Sequence, residues 1–323
     1  MRIAIAGLAT SHPYTDARTL ASHADLMVWE EDRARLARFT EEHPGAEVAA
    51  GLDDLLAARP DGVVLTVPNP GVAPALARVL AADLPCFVNK PAAATAAQLA
   101  AVDVAASSRP ELVLSTSVLR FAPAFTALMA EDLGEVLSVR ATVRHDVGLW
   151  AGGHNPWQDD PAVGGGTMVT MGVHGVELLV ALLGPAVRLA GAAAATRSYT
   201  ALKSEDTGVM ALAWENGVVG TVEVVGVTDE ESYTVSVHTR AAPMRSWWSL
   251  GRTTSSAWAT GAPWRRFCPW WAAPRARCPG SRPGPCSARW WPPARPAPRI
   301  PSARHAGRAL TAELASSYGL DRK

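Results

Sequence analysis

The residues whose types and spacing favour chemistry lie in a glycine-rich segment near the middle of the chain. Its three consecutive glycines, Gly164 to Gly166, carry no Cβ atom and let the backbone approach a ligand closely. Thr170, His174 and Glu177 follow at spacings of four and three residues. On one helix this spacing places all three side chains on one face. Because imidazole exchanges protons near neutral pH, the segment predicts a helix that presents a proton-exchanging row.

Further polar residues lie in the first third of the chain, at the ends of predicted strands. The strand at residues 2–6 enters the loop Gly7–Pro13, and later strands end at Glu30, at Pro68-Asn69 and at Asn89-Lys90. Strands that alternate with helices are typical of a parallel, doubly wound sheet. Ligands of such sheets bind outside the carboxyl ends of the strands. We therefore predict an α/β Rossmann domain over residues 1–119 with a ligand site at this edge.

The loop after the first strand matches a dinucleotide fingerprint in part. The glycine positions of G-x-G-x-x-G hold Gly7, Ala9 and His12. Thr10 and Ser11 place hydroxyl groups where a phosphate would meet the helix N-terminus. Glu30 favours NAD, because a carboxylate accepts from a ribose 2′-hydroxyl and repels a 2′-phosphate; NADP stays possible. The alternative is a strand-to-helix turn without a ligand.

The second half of the chain shows a different pattern, from about residue 120. Strand-like stretches follow one another with few helices between them, at residues 136–145, 187–196, 207–214, 218–227 and 232–238. Asn216-Gly217 is a strong hairpin signal between two of them. This predicts an α+β domain over residues 120–323 with a mostly antiparallel, open sheet.

Separated segments of the sequence resemble the Gfo/Idh/MocA oxidoreductases, the family of glucose–fructose oxidoreductase and inositol dehydrogenase. The resemblance covers about residues 2–239. Besides the loop Gly7–Pro13, it is carried by Thr66–Pro70 (the family's T-P-N), Asn89-Lys90-Pro91 (E-K-P), Arg120–Pro123 (R-F-x-P) and Trp157–His174 (W-x-x-D-P followed by G-G-G-x-x-x-D-x-G-x-H).

The resemblance implies hydride transfer between a nicotinamide cofactor and a sugar, polyol or related small molecule. It assigns catalysis to Lys90, His174 and position 170, with Lys90 stabilising negative charge and His174 as general acid/base. The implied cofactor contacts are Gly7, Thr10, Ser11, His12, Glu30, Pro68, Asn69 and Lys90. The implied substrate contacts are Arg120, His154, Trp157 and Glu177. Pairing of two copies through the second sheet is also implied.

The sequence departs from the family at four of these positions. The catalytic aspartate is replaced by Thr170, the E-K-P glutamate by Asn89, the histidine after T-P-N by Val72, and the terminal aspartate by Glu177. Unlike aspartate, threonine has no carboxylate that could accept a proton or orient an imidazole by its charge. A second hypothesis therefore stays open. In it, the chain is a non-catalytic dinucleotide-binding or regulatory protein of the same fold.

Metal binding and membrane insertion are not predicted. His145, Asp146, His154 and His174 have a spacing that matches no zinc pattern. No uncharged apolar run reaches the roughly 18 residues of a membrane span. The first strand begins directly at the N-terminus, without a signal-peptide pattern, and this predicts a cytoplasmic protein.

The composition changes abruptly after residue 239. Residues 240–312 contain thirteen arginines and no lysine, aspartate or glutamate, and eight of the twelve tryptophans. One interpretation of such a stretch is a nucleic-acid arm, and another is a disulfide or metal module on Cys268, Cys278 and Cys286, although their spacing fits no zinc pattern. We favour a third explanation, that residues 240–300 are read out of frame in a GC-rich gene and that a helix resumes at 303–318. We therefore predict no nucleic-acid partner.

Overall fold

The fold comprises two six-stranded sheets that follow one another along the chain. The computed structural model describes residues 1–240 and the backbone of residues 242–249. The remaining stretch, residues 250–323, contains most of the arginine-rich segment, its three cysteines and the predicted helix at 303–318. These features, and residues 250–300 of the segment proposed to be out of frame, lie outside the described residues.

The first sheet is parallel throughout and confirms the predicted doubly wound fold. Its strands lie in the order β3-β2-β1-β4-β5-β6. Successive strands are added towards one edge from β1 to β3 and towards the other edge from β4 to β6, so the strand order reverses between β1 and β4. They are β1 (Arg2–Ala6), β2 (Asp25–Trp29), β3 (Glu47–Val48), β4 (Gly62–Leu65), β5 (Cys86–Val88) and β6 (Val113–Leu114). Strand β3 was not predicted, because both of its residues are exposed and give no apolar pattern.

Five helices cover the two faces of this sheet. They are α1 (His12–Leu20), α2 (Arg33–Glu42), α3 (Leu52–Ala57), α4 (Asn69–Ala81) and α5 (Ala96–Ala106). Helix α3 was not predicted. Helix α4 begins at Asn69, because Pro70 occupies the first helical turn, where proline needs no N–H partner. Asn69 is therefore a helix-start residue rather than part of a strand exit.

The second sheet confirms the predicted antiparallel architecture. Its order is β12-β11-β7-β10-β9-β8, and every pair is antiparallel except β7 with β10. The strands are β7 (Val136–Arg144), β8 (Val187–Ala195), β9 (Thr207–Trp214), β10 (Val219–Val225), β11 (Ser232–Thr239) and β12 (Ala242–Ser249). Asn216-Gly217 forms the predicted hairpin turn, and Gly217 has a φ of +88°. Strand β12 was not predicted; it lies at the sheet edge, where a proline is tolerated.

The helices of the second half carry the glycine-rich segment. They are α6 (Pro123–Ala130), α7 (Gly148–Ala151), α8 (Pro156–Asp159), α9 (Gly166–Thr170) and α10 (Gly172–Leu183). The single helix predicted after the glycines is thus divided at Met171. This separates Thr170 from His174 and Glu177, so the expected three-residue row on one helix was wrong.

Helix α10 packs against the middle of the second sheet. A Cβ atom on Gly175 would lie 2.6 Å from Cγ1 of Val222, so glycine is required for this close approach. The stretch Gly166–Leu183 is long and apolar enough for a membrane span, with a mean hydropathy of 1.6, but 61% of it is buried. This burial is typical of a core helix, and it fixes the position of His174 above the sheet.

Candidate active site

A cavity of about 330 Å³ lies between the two halves of the chain. It opens at the carboxyl edge of the first sheet, beside the start of α1 and the end of β5. Its wall contains titratable side chains from both halves: His12, Asp16, Lys90, His145, Asp146, His154, His174, Glu231 and Tyr233. The fold therefore brings Lys90 and His174, 84 positions apart in sequence, into one enclosed space.

The predicted site residues divide into three groups by their distance from this cavity. The residues that line it are Thr10, Ser11, His12, Lys90, His154 and His174. Thr170 and Glu177 lie behind the lining and contact residues that form or support it. Among the described residues, the remaining predicted contacts do not line it: Gly7, Glu30, Pro68, Asn69, Arg120 and Trp157.

Lys90 is held by hydrogen bonds on both sides of its own backbone. Asn89 Oδ1 accepts from Lys90 N at 2.9 Å, and Asn89 Nδ2 donates to Thr66 Oγ1 at 3.2 Å. On the other side, Asn69 Nδ2 donates to Pro91 O at 2.6 Å. The T-P-N and E-K-P segments therefore act together to fix the lysine backbone. Asn89, which replaces the family's glutamate, retains a structural role here.

The side chain of Lys90 is 9% exposed and reaches the second half of the chain. Its Nζ donates to the main-chain O of Thr170 at 3.3 Å. Burial lowers its pKa to about 8, against the opposing negative charges of Glu231 and Glu177. An ammonium group with this pKa can both stabilise a negative oxygen and exchange a proton near neutral pH.

His174 is 3% exposed and takes its orientation from Ser117. Its Nδ1 lies 2.6 Å from Ser117 Oγ, and its ring contacts the ring of Tyr233 edge-on, with centroids 5.3 Å apart. Burial first, and then the positive charge of Lys90, lower the pKa of His174 well below its ordinary value. The imidazole is therefore neutral at physiological pH, and its Nε2 is the nitrogen opposite the Ser117 contact.

Glu177 supports the segment that holds His174. Its carboxylate accepts from Ser117 N and from the hydroxyl of Thr116, and it lies 3.8 Å from the guanidinium of Arg120. Burial raises its pKa to about 7, although the Ser117 N–H and the charges of Arg120 and Lys90 act in the opposite direction. Glu177 and Arg120, both predicted as substrate contacts, thus contact each other, and Glu177 also contacts Thr116 and Ser117.

The side chain of Thr170 turns away from the cavity. Its Oγ1 donates to Gly164 O at 3.2 Å, within the glycine-rich turn. Thr170 is 2% exposed, so this bond satisfies a buried hydroxyl group. The contribution of position 170 to the cavity is therefore its carbonyl oxygen, which accepts from Lys90.

A second set of titratable groups faces Lys90 from β7, β11 and α1. Tyr233 donates its hydroxyl proton to Glu231 Oε1 at 2.8 Å, and His145 Nδ1 lies 3.5 Å from the same oxygen. Burial and the charge of Lys90 lower the pKa of His12 to about 3. Burial raises the pKa of Asp16 to about 8. At neutral pH both groups are uncharged and able to hydrogen-bond to a polar ligand.

The edge of the first sheet also has the shape of a dinucleotide cradle. Gly7 has a φ of +88°, and a Cβ atom there would lie 2.5 Å from Thr66 O. Glu30 accepts from Leu8 N and, at 2.9 Å, from Asp32 N, so its carboxylate lies against the glycine loop. Asn69 Oδ1 is buried without a hydrogen-bond partner among the described residues. Close backbone approach, a fixed carboxylate and an unused acceptor all fit a bound nucleotide.

Trp157 and Trp150, two tryptophans near the cavity, differ in position. Trp150 is 8% exposed and lines the cavity. Trp157 does not line the cavity, and its Nε1 is buried without a partner within the described part of the chain. Of the two, Trp150 has the position of a ligand contact. In the same described part, no group of three or more His, Cys, Asp or Glu side chains has a metal-binding arrangement.

Sequence reasoning missed several residues that form or support the cavity. Thr116 and Ser117 lie two and three residues after β6, so the rule that functional residues lie at the carboxyl ends of parallel strands would have identified them. Glu231 and Tyr233 lie at the start of β11, and Asp16 lies within α1. No local pattern distinguishes these three from ordinary surface residues, because only the docking of the two sheets brings them to the cavity.

Comparison with known proteins agrees with the resemblance found in the sequence. Residues 123–242 match the model of the GFO/IDH/MocA C-terminal domain. The resemblance to Gfo/Idh/MocA oxidoreductases is thereby confirmed for the second half of the described chain. The match ends beside the change of composition at residue 240. No curated protein sequence matches the chain significantly.

Solved structures with a similar fold include several dehydrogenases. GenD2 from gentamicin A biosynthesis, crystallised with NAD, is 21% identical, with a TM-score of 0.72 over 98% of this chain and 92% of that one. A putative myo-inositol dehydrogenase from Sinorhizobium meliloti is 19% identical, with a TM-score of 0.72 over 100% and 98%. The WlbA dehydrogenase from Bordetella pertussis, crystallised with NADH and UDP-GlcNAcA, is 21% identical, with a TM-score of 0.61 over 78% and 82%.

Proposed function

We propose that this chain, whose residues 123–242 form a GFO/IDH/MocA C-terminal domain, is a nicotinamide-dependent oxidoreductase. Its substrate would be a sugar, polyol or related hydroxy compound. The observation that carries the proposal is the convergence of Lys90 and His174, from opposite halves of the chain, on one cavity at the carboxyl edge of the first sheet. Three structural neighbours with this fold are described as dehydrogenases or as bound to NAD or NADH.

The cofactor would occupy the edge formed by the Gly7 loop and Glu30. The absence of a Cβ at Gly7 allows its backbone to approach a pyrophosphate, and Thr10 and Ser11 offer hydroxyl groups at the start of α1. Glu30 favours NAD by accepting from a ribose hydroxyl. Pro68 and Asn69 would lie against the nicotinamide side. When bound, nicotinamide supplies the hydride exchange.

The chain itself would bind and polarise the substrate oxygen. The ammonium group of Lys90 stabilises negative charge that develops on this oxygen, and its pKa of about 8 allows it to exchange a proton there. His174 holds a proton at Nε2 or accepts one there, because Ser117 occupies its Nδ1. The polar groups opposite, including His145, His154 and Tyr233, would bind further hydroxyl groups of the ligand.

Calorimetric titration with NAD and NADP, followed by turnover assays on a panel of polyols and sugars, tests the proposal. We expect binding of NAD in preference to NADP and a change in nicotinamide absorbance with at least one substrate. If neither dinucleotide binds, the proposal fails. Preference for NADP would refute the role given to Glu30.

A protein that binds the dinucleotide without catalysis is the second candidate. It is favoured by one observation, the absence of a carboxylate at position 170, whose threonine is bonded to Gly164 instead. Binding of NAD without turnover on any substrate would favour this candidate. Cytoplasmic location and association of two copies through the second sheet stay predictions.

A further inference from the structure

Ser117 and His174 form a buried hydrogen-bonded pair. The direction of this hydrogen bond determines which ring nitrogen of His174 carries the proton. Ser117 is 0% exposed, so its hydroxyl must find its partners within the protein; His174 is 3% exposed and lines the cavity. Their contact at 2.6 Å is short enough for a strong O–H to N bond. A neutral imidazole carries one proton, on Nδ1 or on Nε2, and its partner selects which.

The other contacts of Ser117 settle the direction. Ser117 Oγ already accepts from Leu119 N at 3.3 Å, because Ser117 caps the short helical turn Val118–Phe121. If it also accepted from His174 Nδ1, the hydroxyl proton would need another buried acceptor, and none is recorded for it among the described residues. If the hydroxyl donates to Nδ1, the Ser117 hydroxyl and Nδ1 are both satisfied, and the ring proton lies on Nε2.

The position of Ser117 is fixed from the same helix that carries His174. Glu177, three residues further along α10, accepts from Ser117 N and from the Thr116 hydroxyl. Residues three apart on a helix face the same side. One turn of α10 therefore contacts Ser117 at two points: Glu177 binds its backbone N–H, and His174 binds its hydroxyl. Together these two contacts fix the geometry of the Ser117–His174 pair.

We propose that Ser117 is a positioning residue that holds His174 in its neutral Nε2–H form, so that the imidazole presents an N–H group to a substrate oxygen in the cavity. The proposal deepens the proposed oxidoreductase function and rests on it for the identity of the ligand. An ionised carboxylate beside Nδ1 would only accept, and it would place the proton on Nδ1. A serine hydroxyl can donate and therefore produces the opposite tautomer. In this arrangement His174 acts as a hydrogen-bond donor, and Lys90 is the group of the pair that titrates near neutral pH.

Long-range ¹H–¹⁵N NMR of the full-length chain, with ¹⁵N-labelled histidine and no added cofactor, reads the tautomer directly. The His174 signals are assigned by their loss in His174→Gln. We expect a single neutral tautomer with the proton on Nε2 across the physiological pH range. In Ser117→Ala we expect the two nitrogen shifts to move towards each other, as the tautomers mix. Ser115→Ala, an exposed serine two residues away, should leave the spectrum unchanged.

A wild-type spectrum with the proton on Nδ1 overturns the proposal, even if Ser117→Ala does not fold. An unchanged tautomer in a folded Ser117→Ala protein also overturns it. The measurement needs no dinucleotide and no turnover. Failure to bind NAD would therefore reject the proposed function separately and leave the tautomer result standing.

Discussion

Lys90 Nζ lies 3.3 Å from the main-chain oxygen of Thr170. This contact joins the end of β5 to the end of α9, and it depends on the backbone at position 170 rather than on its side chain. Loss of the family's aspartate therefore does not release the lysine. The contact with Lys90 therefore needs only the main chain at position 170, whose threonine side chain supplies no carboxylate.

The first prediction concerns Thr170→Val. Because the Lys90 contact is to the carbonyl oxygen, we expect kcat/KM to change less than about tenfold, the size of a 1.4 kcal/mol effect. The variant loses the bond from Oγ1 to Gly164, which should lower the free energy of unfolding by about 1 kcal/mol. Steady-state kinetics and urea unfolding measure both effects. Thr170→Ser keeps the hydroxyl and is the control; a hundredfold loss of activity confined to the folded Val variant would contradict this view.

The second prediction concerns the charge of Lys90. Lys90→Met keeps most of the buried volume and removes the ammonium group, so kcat should fall by about 10²–10³. NAD affinity, measured by calorimetry, should fall much less than kcat, because Lys90 is one of eight implied cofactor contacts. The matched control is Lys203→Met, because Lys203 is a surface lysine paired with Asp160. An equal loss of activity in both variants would show that the effect is not local to the cavity.

The third prediction follows from the lowered pKa of Lys90. If the ammonium form is the active one, kcat/KM falls as pH rises through about 8. In Lys90→Arg, the alkaline limit should move upward, because a guanidinium stays charged. The folded pKa lies below the ordinary value of 10.5, so the unfolded chain binds more protons between these two values. Lys90 therefore makes the free energy of unfolding rise with pH across this window, and Lys90→Met should remove that rise.

The fourth prediction concerns Glu30 and the choice of cofactor. In Glu30→Gln, the ratio of the NADP to the NAD dissociation constant should fall, because the negative charge that repels a 2′-phosphate is gone. The amide oxygen can keep one of the two bonds that Glu30 accepts, from Leu8 N or from Asp32 N, and the other is lost. Calorimetric titration with both dinucleotides gives the ratio. Glu31→Gln, at the exposed neighbouring position, should leave it unchanged; a fall of the same size there would indicate a general charge effect.

The positions of Lys90 and of the Gly7 loop were predictable because they depend on local rules. Alternating strands and helices place strand ends at one edge of a parallel sheet, and the observed order β3-β2-β1-β4-β5-β6 obeys this rule. The hairpin at Asn216-Gly217 was predictable for a similar reason, since two residues determine the turn. Burial of strands such as β4, all of whose residues are buried, follows from composition.

The partner of His174 was not predictable in this way. Its spacing to Thr170 indicated a shared helix face, but Met171 divides the segment, and the ring contacts Ser117, which lies 57 positions away. The same holds for Glu177, whose contacts are Thr116 and Ser117 rather than a ligand. Such pairs depend on how the second sheet docks against the first, and sequence periodicity contains no information about that docking.

The last prediction tests the cradle at Gly7 through stability. Gly7→Ala places a Cβ 2.5 Å from Thr66 O at a φ of +88°, so both backbone strain and a steric clash are introduced. Gly217→Ala has the same φ but no atom within 4 Å of the added Cβ, so it introduces strain alone. Strain of this kind costs about 1–3 kcal/mol. We expect Gly7→Ala to lower the free energy of unfolding by more than Gly217→Ala, and to weaken NAD binding where Gly217→Ala does not. Equal losses of stability would show that the clash relaxes without cost. Unchanged NAD affinity in a folded Gly7→Ala protein would show that the cofactor does not require this close approach of the loop.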